Sequence, residues 1–98
     1  MKTMTTQEVQ DYLKQNKEAS VIDVRETAEV KAGKIPGAVN IPLGLLAFRL
    51  QDIDKSKEHI LVCYSGNRSG QATRFLESQG FTVINMDGGM LEWEGSTE

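Results

Sequence analysis

Residues 59–69 read HILVCYSGNRS, an apolar run that ends in a cysteine and passes into a polar loop. The β-branched and aliphatic residues of 59–63 predict a buried strand. The next residues are too rich in turn formers to continue that strand. A helix is predicted from Ser69, because apolar residues then recur every three or four positions until Gly80 provides a stop. The stretch therefore predicts a strand, a loop and a helix in succession, with Cys63 where the strand meets the loop.

The rest of the chain alternates between strand and helix patterns, which is typical of a parallel sheet flanked by helices. Further strands are predicted at 20–24, 38–41 and 82–85, and helices over 5–16, 26–31 and 43–50 and from 90 onward. Thr5 and Glu8 have the spacing of a helix capping box. We expect one α/β domain over residues 1–98, with a five-stranded parallel sheet and helices on both faces. No linker or repeat marks a second domain.

Composition and charge argue against several classes of partner. A net charge of −3 over 98 residues argues against a nucleic-acid partner, because no basic face could neutralise a run of phosphates. No apolar run approaches the roughly 20 residues that span a bilayer, so no membrane partner is expected. The N-terminus lacks the apolar segment of a secretory signal, and a lone cysteine suits a reducing compartment. We therefore expect a cytoplasmic protein.

Cys63 and Arg68 are the residues of the chain that most strongly suggest chemistry. A strand that turns tightly into a helix aims successive backbone N–H groups into one concavity, and the helix N-terminus lies behind them. Such a site favours a thiolate over a thiol, which makes a cysteine nucleophilic. Gly66 allows the close turn, and Arg68 adds a permanent cation. The simpler interpretation is that Cys63 is a small buried apolar residue and that Arg68 is solvated.

Four ordered motifs then resemble the rhodanese family over nearly the whole chain. They are residues 21–26 (VIDVRE), 33–42 (GKIPGAVNIP), 63–69 (CYSGNRS), and Gly80-Phe81 followed by 87–93 (DGGMLEW). The resemblance implies a five-stranded parallel α/β fold with the catalytic cysteine at the base of the 63–69 loop. It also implies a sulfurtransferase, which takes sulfane sulfur from thiosulfate or a thiol persulfide and holds it as a cysteine persulfide. Thiols, cyanide or a protein would be the acceptors, with a sulfur-relay protein as a further partner.

The resemblance also assigns the site residues by matching position. Cys63 would be the nucleophile and persulfide carrier, and Arg68 would add charge or hold the loop. The substrate-binding group would be the backbone N–H donors of the loop, which belong to Tyr64, Ser65, Gly66, Asn67, Arg68 and Ser69. Neither a metal nor an organic cofactor is implied, because backbone donors can stabilise the persulfide anion.

Several other residues receive a structural interpretation. Lys34 stands where family members commonly have histidine, and we interpret that position as structural. Asp23 and Arg25 lie on the same side of a strand end, where they either order the catalytic loop or only tie down the strand. His59 is expected at the surface. Trp93, Phe75 and Leu46 are most simply core residues.

Two other functions remain open at this stage. The first is a cysteine-dependent phosphatase or arsenate reductase, although such loops place five residues between cysteine and arginine. Here only four intervene, Tyr64 to Asn67, which suits a smaller anion. The second is a regulatory binding module without catalysis, against which the retention of Cys63 and Arg68 argues.

Overall fold

The computed structural model describes residues 1–98, which form a five-stranded sheet with helices packed against it. The strands are β1 (Thr3–Met4), β2 (Ser20–Asp23), β3 (Val39–Asn40), β4 (Glu58–Val62) and β5 (Thr82–Met86). The α-helices are α1 (Thr6–Gln15), α2 (Thr27–Val30), α3 (Asn67–Ser78) and α4 (Gly89–Glu92). Two 3-10 helices, Leu43–Phe48 and Leu50–Asp52, lie between β3 and β4.

The sheet is parallel throughout, in the order β1-β5-β4-β2-β3. β4 is the central strand, with Ile60 in register with Val21 of β2 and with Ile84 of β5. Because the strands run the same way, their carboxyl ends meet at one edge, which is where ligands bind in open α/β sheets. Cys63 directly follows β4 at that edge.

Two apolar cores cover the two faces of the sheet. Side chains alternate along β4, so that Ile60 and Val62 belong to one core and Leu61 and Cys63 to the other. Helix α1 covers the first core and α3 the second, through Val9 and Leu76 respectively. The predicted α/β fold, a five-stranded parallel sheet with helices on both faces, is confirmed.

The helix boundaries follow local sequence signals. Thr5 caps α1: its side chain accepts the Glu8 N–H at 3.1 Å, and Glu8 Oε1 accepts the Thr5 N–H at 2.8 Å. This is the predicted capping box. After α3, Gly80 has a φ of +90°, and the Phe81 N–H donates back to the carbonyl of Leu76 at 3.0 Å. Gly80 therefore ends this helix as predicted.

Two segments differ from the sequence-based expectation. β1 was not assigned, because two residues carry no periodic pattern; it forms by pairing with β5, with Thr3 opposite Asn85. The segment 43–50 is not an α-helix but consists of 3-10 turns, in which Leu45 N donates to Pro42 O. Leu46 is nevertheless buried, as expected of a core residue.

The expectation that His59 lies at the surface was wrong. His59 is only 4% exposed. Its Nδ1 lies 2.6 Å from Ser20 Oγ on β2, and its Nε2 lies 2.6 Å from the carbonyl oxygen of Asp54. Because both ring nitrogens have partners, the imidazole can be buried at the start of β4 without an unpaired polar atom. Phe75 and Trp93 pack against the cores but are only partly buried.

Candidate active site

The sulfur of Cys63 lies at the floor of the loop that joins β4 to α3. Cys63 Sγ accepts a hydrogen bond from the backbone N–H of Gly66 at 3.0 Å, and Ser69 Oγ lies 3.3 Å away. Gly66 has a φ of +103° and immediately precedes the first turn of α3. Residues that carry a side chain rarely adopt this backbone conformation, which explains why a glycine is needed at that point. One backbone N–H of the loop and one side-chain hydroxyl thus contact the sulfur.

The surroundings of Cys63 act on its ionisation in opposite directions. Burial raises the pKa of the Cys63 thiol. Hydrogen bonds from the Ser69 hydroxyl and from the backbone N–H groups of Ser69, Gly66 and Ser65 outweigh burial, so the pKa lies below its ordinary value. The residue does belong to an apolar core and is 1% exposed, but its sulfur meets donors and is not enclosed by apolar groups alone. The site therefore stabilises the nucleophilic thiolate relative to that of an ordinary cysteine.

Ser69 is tied to a polar residue that sequence analysis did not select. Ser69 is fully buried in the first turn of α3, and its Oγ lies 2.5 Å from Asn85 Oδ1 on β5. Asn85 Nδ2 in turn donates to the carbonyl of Gly66 at 3.4 Å. Asn85 thus connects the helix start to the loop from beneath. Its signal in the sequence is a lone amide within an apolar strand, since buried polar groups need partners.

Hydrogen bonds from α4 hold two carbonyl groups of the loop away from the sulfur. The carbonyl of Cys63 accepts the Met90 N–H, and that of Tyr64 accepts the Leu91 N–H, both at 2.9 Å. This requires close approach of Gly89, where an added Cβ would lie 2.3 Å from the Tyr64 carbonyl oxygen. The glycine turn of the C-terminal motif therefore supports the loop that holds Cys63.

Arg68 lies in the first turn of α3, which begins at Asn67, two residues before the predicted start, and it does not hydrogen-bond to the sulfur. Its Nη1 and Nη2 donate to Oε1 and Oε2 of Glu29 at 2.6 and 2.9 Å. The hydrogen bond from Arg68 is the main reason that the pKa of Glu29 falls to about 2, and the same carboxylate raises the pKa of Arg68. Glu29 is on α2, and sequence analysis did not identify it, because its partner is distant in the chain. The ion pair connects α2 to the segment that follows Cys63.

Asp23 and Arg25 form a buried ion pair at the end of β2. Arg25 Nη2 lies 2.8 Å from Asp23 Oδ2, and the same nitrogen donates to the carbonyl of Gly33 at 2.8 Å. Asn40 Nδ2 donates to the backbone carbonyls of both residues. The pair thus joins β2, β3 and the turn at Gly33, next to β4.

The remaining predicted residues lie on the outside of the loop or away from it. Tyr64 is 47% exposed, and Ser65 and Asn67 are also exposed. Lys34 donates to the carbonyl of Ala38 at 3.1 Å and pairs with Glu98 at 2.6 Å. No three His, Cys, Asp or Glu side chains are grouped so as to hold a metal ion. None of the helices has the length and apolar character needed to cross a membrane.

Comparison with known proteins identifies the family. The rhodanese-like domain model matches residues 5–96. A Bacillus subtilis protein named "Putative sulfurtransferase YtwF" is 39% identical over the full length of this chain and 95% of its own. Another from that organism, "Putative sulfur carrier protein YrkF", is 42% identical over 81% of this chain and 43% of its own length.

The similarity extends to solved structures. The crystal structure of a rhodanese-like domain protein from Staphylococcus aureus superposes with a TM-score of 0.94 at 33% identity. The superposition covers all of this chain and 97% of the Staphylococcus aureus chain. The protein described here belongs to the rhodanese-like family, as its motifs indicated.

Proposed function

We propose that this protein is a sulfurtransferase that carries sulfane sulfur as a persulfide on Cys63. The observation that carries the proposal is the short contact between Cys63 Sγ and the backbone N–H of Gly66, 3.0 Å, in a site that lowers the pKa of the thiol. Relatives named as a sulfurtransferase and a sulfur carrier support the same reaction class.

The first half-reaction needs only a thiolate and a donor. Cys63 thiolate attacks the terminal sulfur of a donor such as thiosulfate, a new S–S bond forms, and the donor's own S–S bond breaks. Its electron pair leaves with sulfite, so that the thiolate and thiosulfate give the Cys63 persulfide anion and sulfite. With a thiol persulfide as donor, the leaving group is the thiolate. No external base is required when Cys63 is already ionised.

The loop supplies what the persulfide anion requires. Gly66 N–H and the Ser69 hydroxyl contact Cys63 Sγ, which carries the charge before sulfur is accepted and again after it is passed on. In the persulfide the charge lies on the outer sulfur, for which the other backbone N–H groups of the loop are the proposed donors. The exposed residues Tyr64, Ser65 and Asn67 form the outer part of the loop, from which a donor enters. Arg68 orders this loop through its ion pair.

The second half-reaction returns the thiolate. A nucleophilic acceptor attacks the outer sulfur of the persulfide, the S–S bond breaks, and Cys63 leaves as a thiolate that the same donors stabilise. A thiol, cyanide or the cysteine of a sulfur-relay protein has the required nucleophilicity. The lone cysteine favours an external acceptor, because this chain has no second thiol to resolve the persulfide.

Intact-mass measurement tests the proposal directly. The protein is mixed with thiosulfate or glutathione persulfide and desalted, and a gain of one sulfur, about 32 Da, is expected. The gain should be absent in Cys63→Ala and should be lost when cyanide is added to the loaded wild-type protein. A folded wild-type protein that gains no sulfur from any sulfane donor contradicts the proposed function.

A further inference from the structure

The ion pair between Glu29 and Arg68 has a consequence for the choice of sulfur donor. Arg68 is the only charged side chain in the loop 63–69. Its two terminal nitrogens form the planar pair of donors that binds an oxyanion at two points. Both are engaged by the carboxylate oxygens of Glu29, at 2.6 and 2.9 Å. The charge of this cation is thus already balanced by an internal anion.

Glu29 is itself held in place from a second direction. Its Oε1 also accepts the backbone N–H of Glu26, at 3.0 Å, in the first turn of α2. The carboxylate therefore has a second anchor besides Arg68. Glu26 adds a further negative charge that acts on Arg68. The neighbouring cation Arg25 is committed to Asp23, 2.8 Å away.

The charges around the loop entrance therefore do not sum to a positive site. Arg68 is balanced by Glu29, and Glu26 lies close by without a compensating cation of its own. The attraction for an anion comes instead from uncharged groups, the N–H donors and the hydroxyl that surround Cys63 Sγ. Such donors act on the reacting sulfur. The sulfonate charge of thiosulfate would find no unpaired cation in the loop, because Arg68 is paired with Glu29.

We propose that Glu29 is a specificity-determining residue, which withholds Arg68 from the donor and so favours singly charged sulfane donors over the thiosulfate dianion. Glu29 acts through Arg68 and is a positioning residue. The inference rests on the proposed transfer of sulfur to Cys63. The donor class it points to is a persulfide or another sulfane compound with a single charge at its reacting end.

Two donors that differ by one charge test this inference. Thiosulfate is a dianion, and methanethiosulfonate is a monoanion in which a methyl group replaces one oxygen; both transfer a terminal sulfur to a thiolate. The measurement is kcat/KM for each donor with cyanide as acceptor. In Glu29→Gln the amide keeps an acceptor for the Glu26 N–H but leaves Arg68 without its counter-charge.

We expect the ratio of kcat/KM for thiosulfate over methanethiosulfonate to rise about tenfold in Glu29→Gln, since a charged contact to the donor is gained. The rise should come mainly through a lower KM for thiosulfate. Adding Arg68→Ala to this variant should remove most of the rise. The matched control is Glu58→Gln, which removes the same charge from a residue paired with Lys2 at the opposite end of β4. Its ratio should remain at the wild-type value.

Glu29→Ala is a second variant that removes the carboxylate without leaving an amide, and far-UV circular dichroism verifies that each variant is folded. A ratio that stays within about twofold of wild type in whichever variants fold overturns the inference while leaving the sulfur gain on Cys63 intact. Failure of the proposed function looks different, because folded wild-type protein then gains no sulfur from either donor.

Discussion

The hydroxyl oxygen of Ser69 lies 3.3 Å from the sulfur of Cys63. Both residues are buried, and the hydroxyl is anchored from below by Asn85, 2.5 Å away on β5. The single hydroxyl hydrogen has three acceptors within reach, namely Cys63 Sγ, Asn85 Oδ1 and the carbonyl of Gly66. A charged sulfur forms a stronger hydrogen bond with it than a neutral thiol does. This contact is the side-chain contribution to the lowered pKa of Cys63.

Replacing Ser69 by alanine is expected to raise the pKa of Cys63, because burial continues to favour the neutral thiol while a donor to the thiolate is lost. The rate of alkylation by iodoacetamide rises with pH as the thiolate forms, so its inflection should move to higher pH in Ser69→Ala. At neutral pH the rate should fall about tenfold, the equivalent of one charged hydrogen bond.

Ser78→Ala is the control for that measurement. Ser78 lies at the exposed end of the same helix, and its hydroxyl donates to the carbonyl of Phe75. Its alkylation profile should match wild type. An unchanged inflection in Ser69→Ala would show that the backbone donors alone set the ionisation of Cys63.

Replacing Arg68 by alanine is expected to keep the fold but to reduce kcat/KM for thiosulfate about tenfold, because Glu29 then repels the donor without a counter-charge. Steady-state kinetics with cyanide as acceptor measures this. Arg74→Ala, on an exposed position of the same helix, is the charge-matched control and should retain wild-type kinetics. Equal activity of the two variants would reduce Arg68 to a residue that only packs.

Replacing Gly89 by alanine is expected to destabilise the protein by about 2–4 kcal/mol, through backbone strain and a clash with the loop. Gly89 has a φ of +61°, and its Cβ would lie 2.7 Å from the carbonyl oxygen of Cys63. Urea denaturation followed by circular dichroism measures the free energy of unfolding. Gly44→Ala is the control, since nothing lies within 4 Å of its added Cβ. A Gly89→Ala protein as stable as Gly44→Ala would contradict the clash.

Replacing His59 by alanine is expected to cost about 2–4 kcal/mol of stability, because it opens a cavity and leaves Ser20 Oγ and the Asp54 carbonyl without their partner. The same variant should still gain one sulfur on Cys63, since His59 lies at the other end of β4. Urea denaturation and intact mass together separate the two effects. Loss of sulfur loading in folded protein would assign His59 a catalytic role.

The parts of the fold that local sequence encodes were predictable. The capping box at Thr5 and the stop at Gly80 follow from neighbouring residues, and both are present. The strand, loop and helix around Cys63 are also local, and their succession is present as predicted. The prediction of an α-helix over 43–50 was wrong, because an apolar spacing of three to four residues does not distinguish 3-10 turns from an α-helix.

The features that sequence analysis missed depend on partners far away in the chain. Glu29 meets Arg68 across 39 positions, and His59 meets Ser20 across the same separation. Asn85 reaches Ser69 across 16. No local pattern shows which carboxylate will meet an arginine near the loop, or that a histidine at a strand start will find a polar partner for each ring nitrogen. Such pairings become visible only when the strand order is known.

The carbonyls of Cys63 and Tyr64 accept hydrogen bonds from α4, and this arrangement gives the surroundings of the sulfur a fixed polarity. The Gly66 peptide presents its N–H toward the sulfur, while the Cys63 and Tyr64 carbonyls accept hydrogen bonds from Met90 and Leu91. Dissolved ions screen charges at the protein surface far more effectively than they screen dipoles that are fixed in the interior. A sulfur anion held in this way is insulated from the ionic strength of its surroundings, whereas its encounter with a charged donor at the entrance is not.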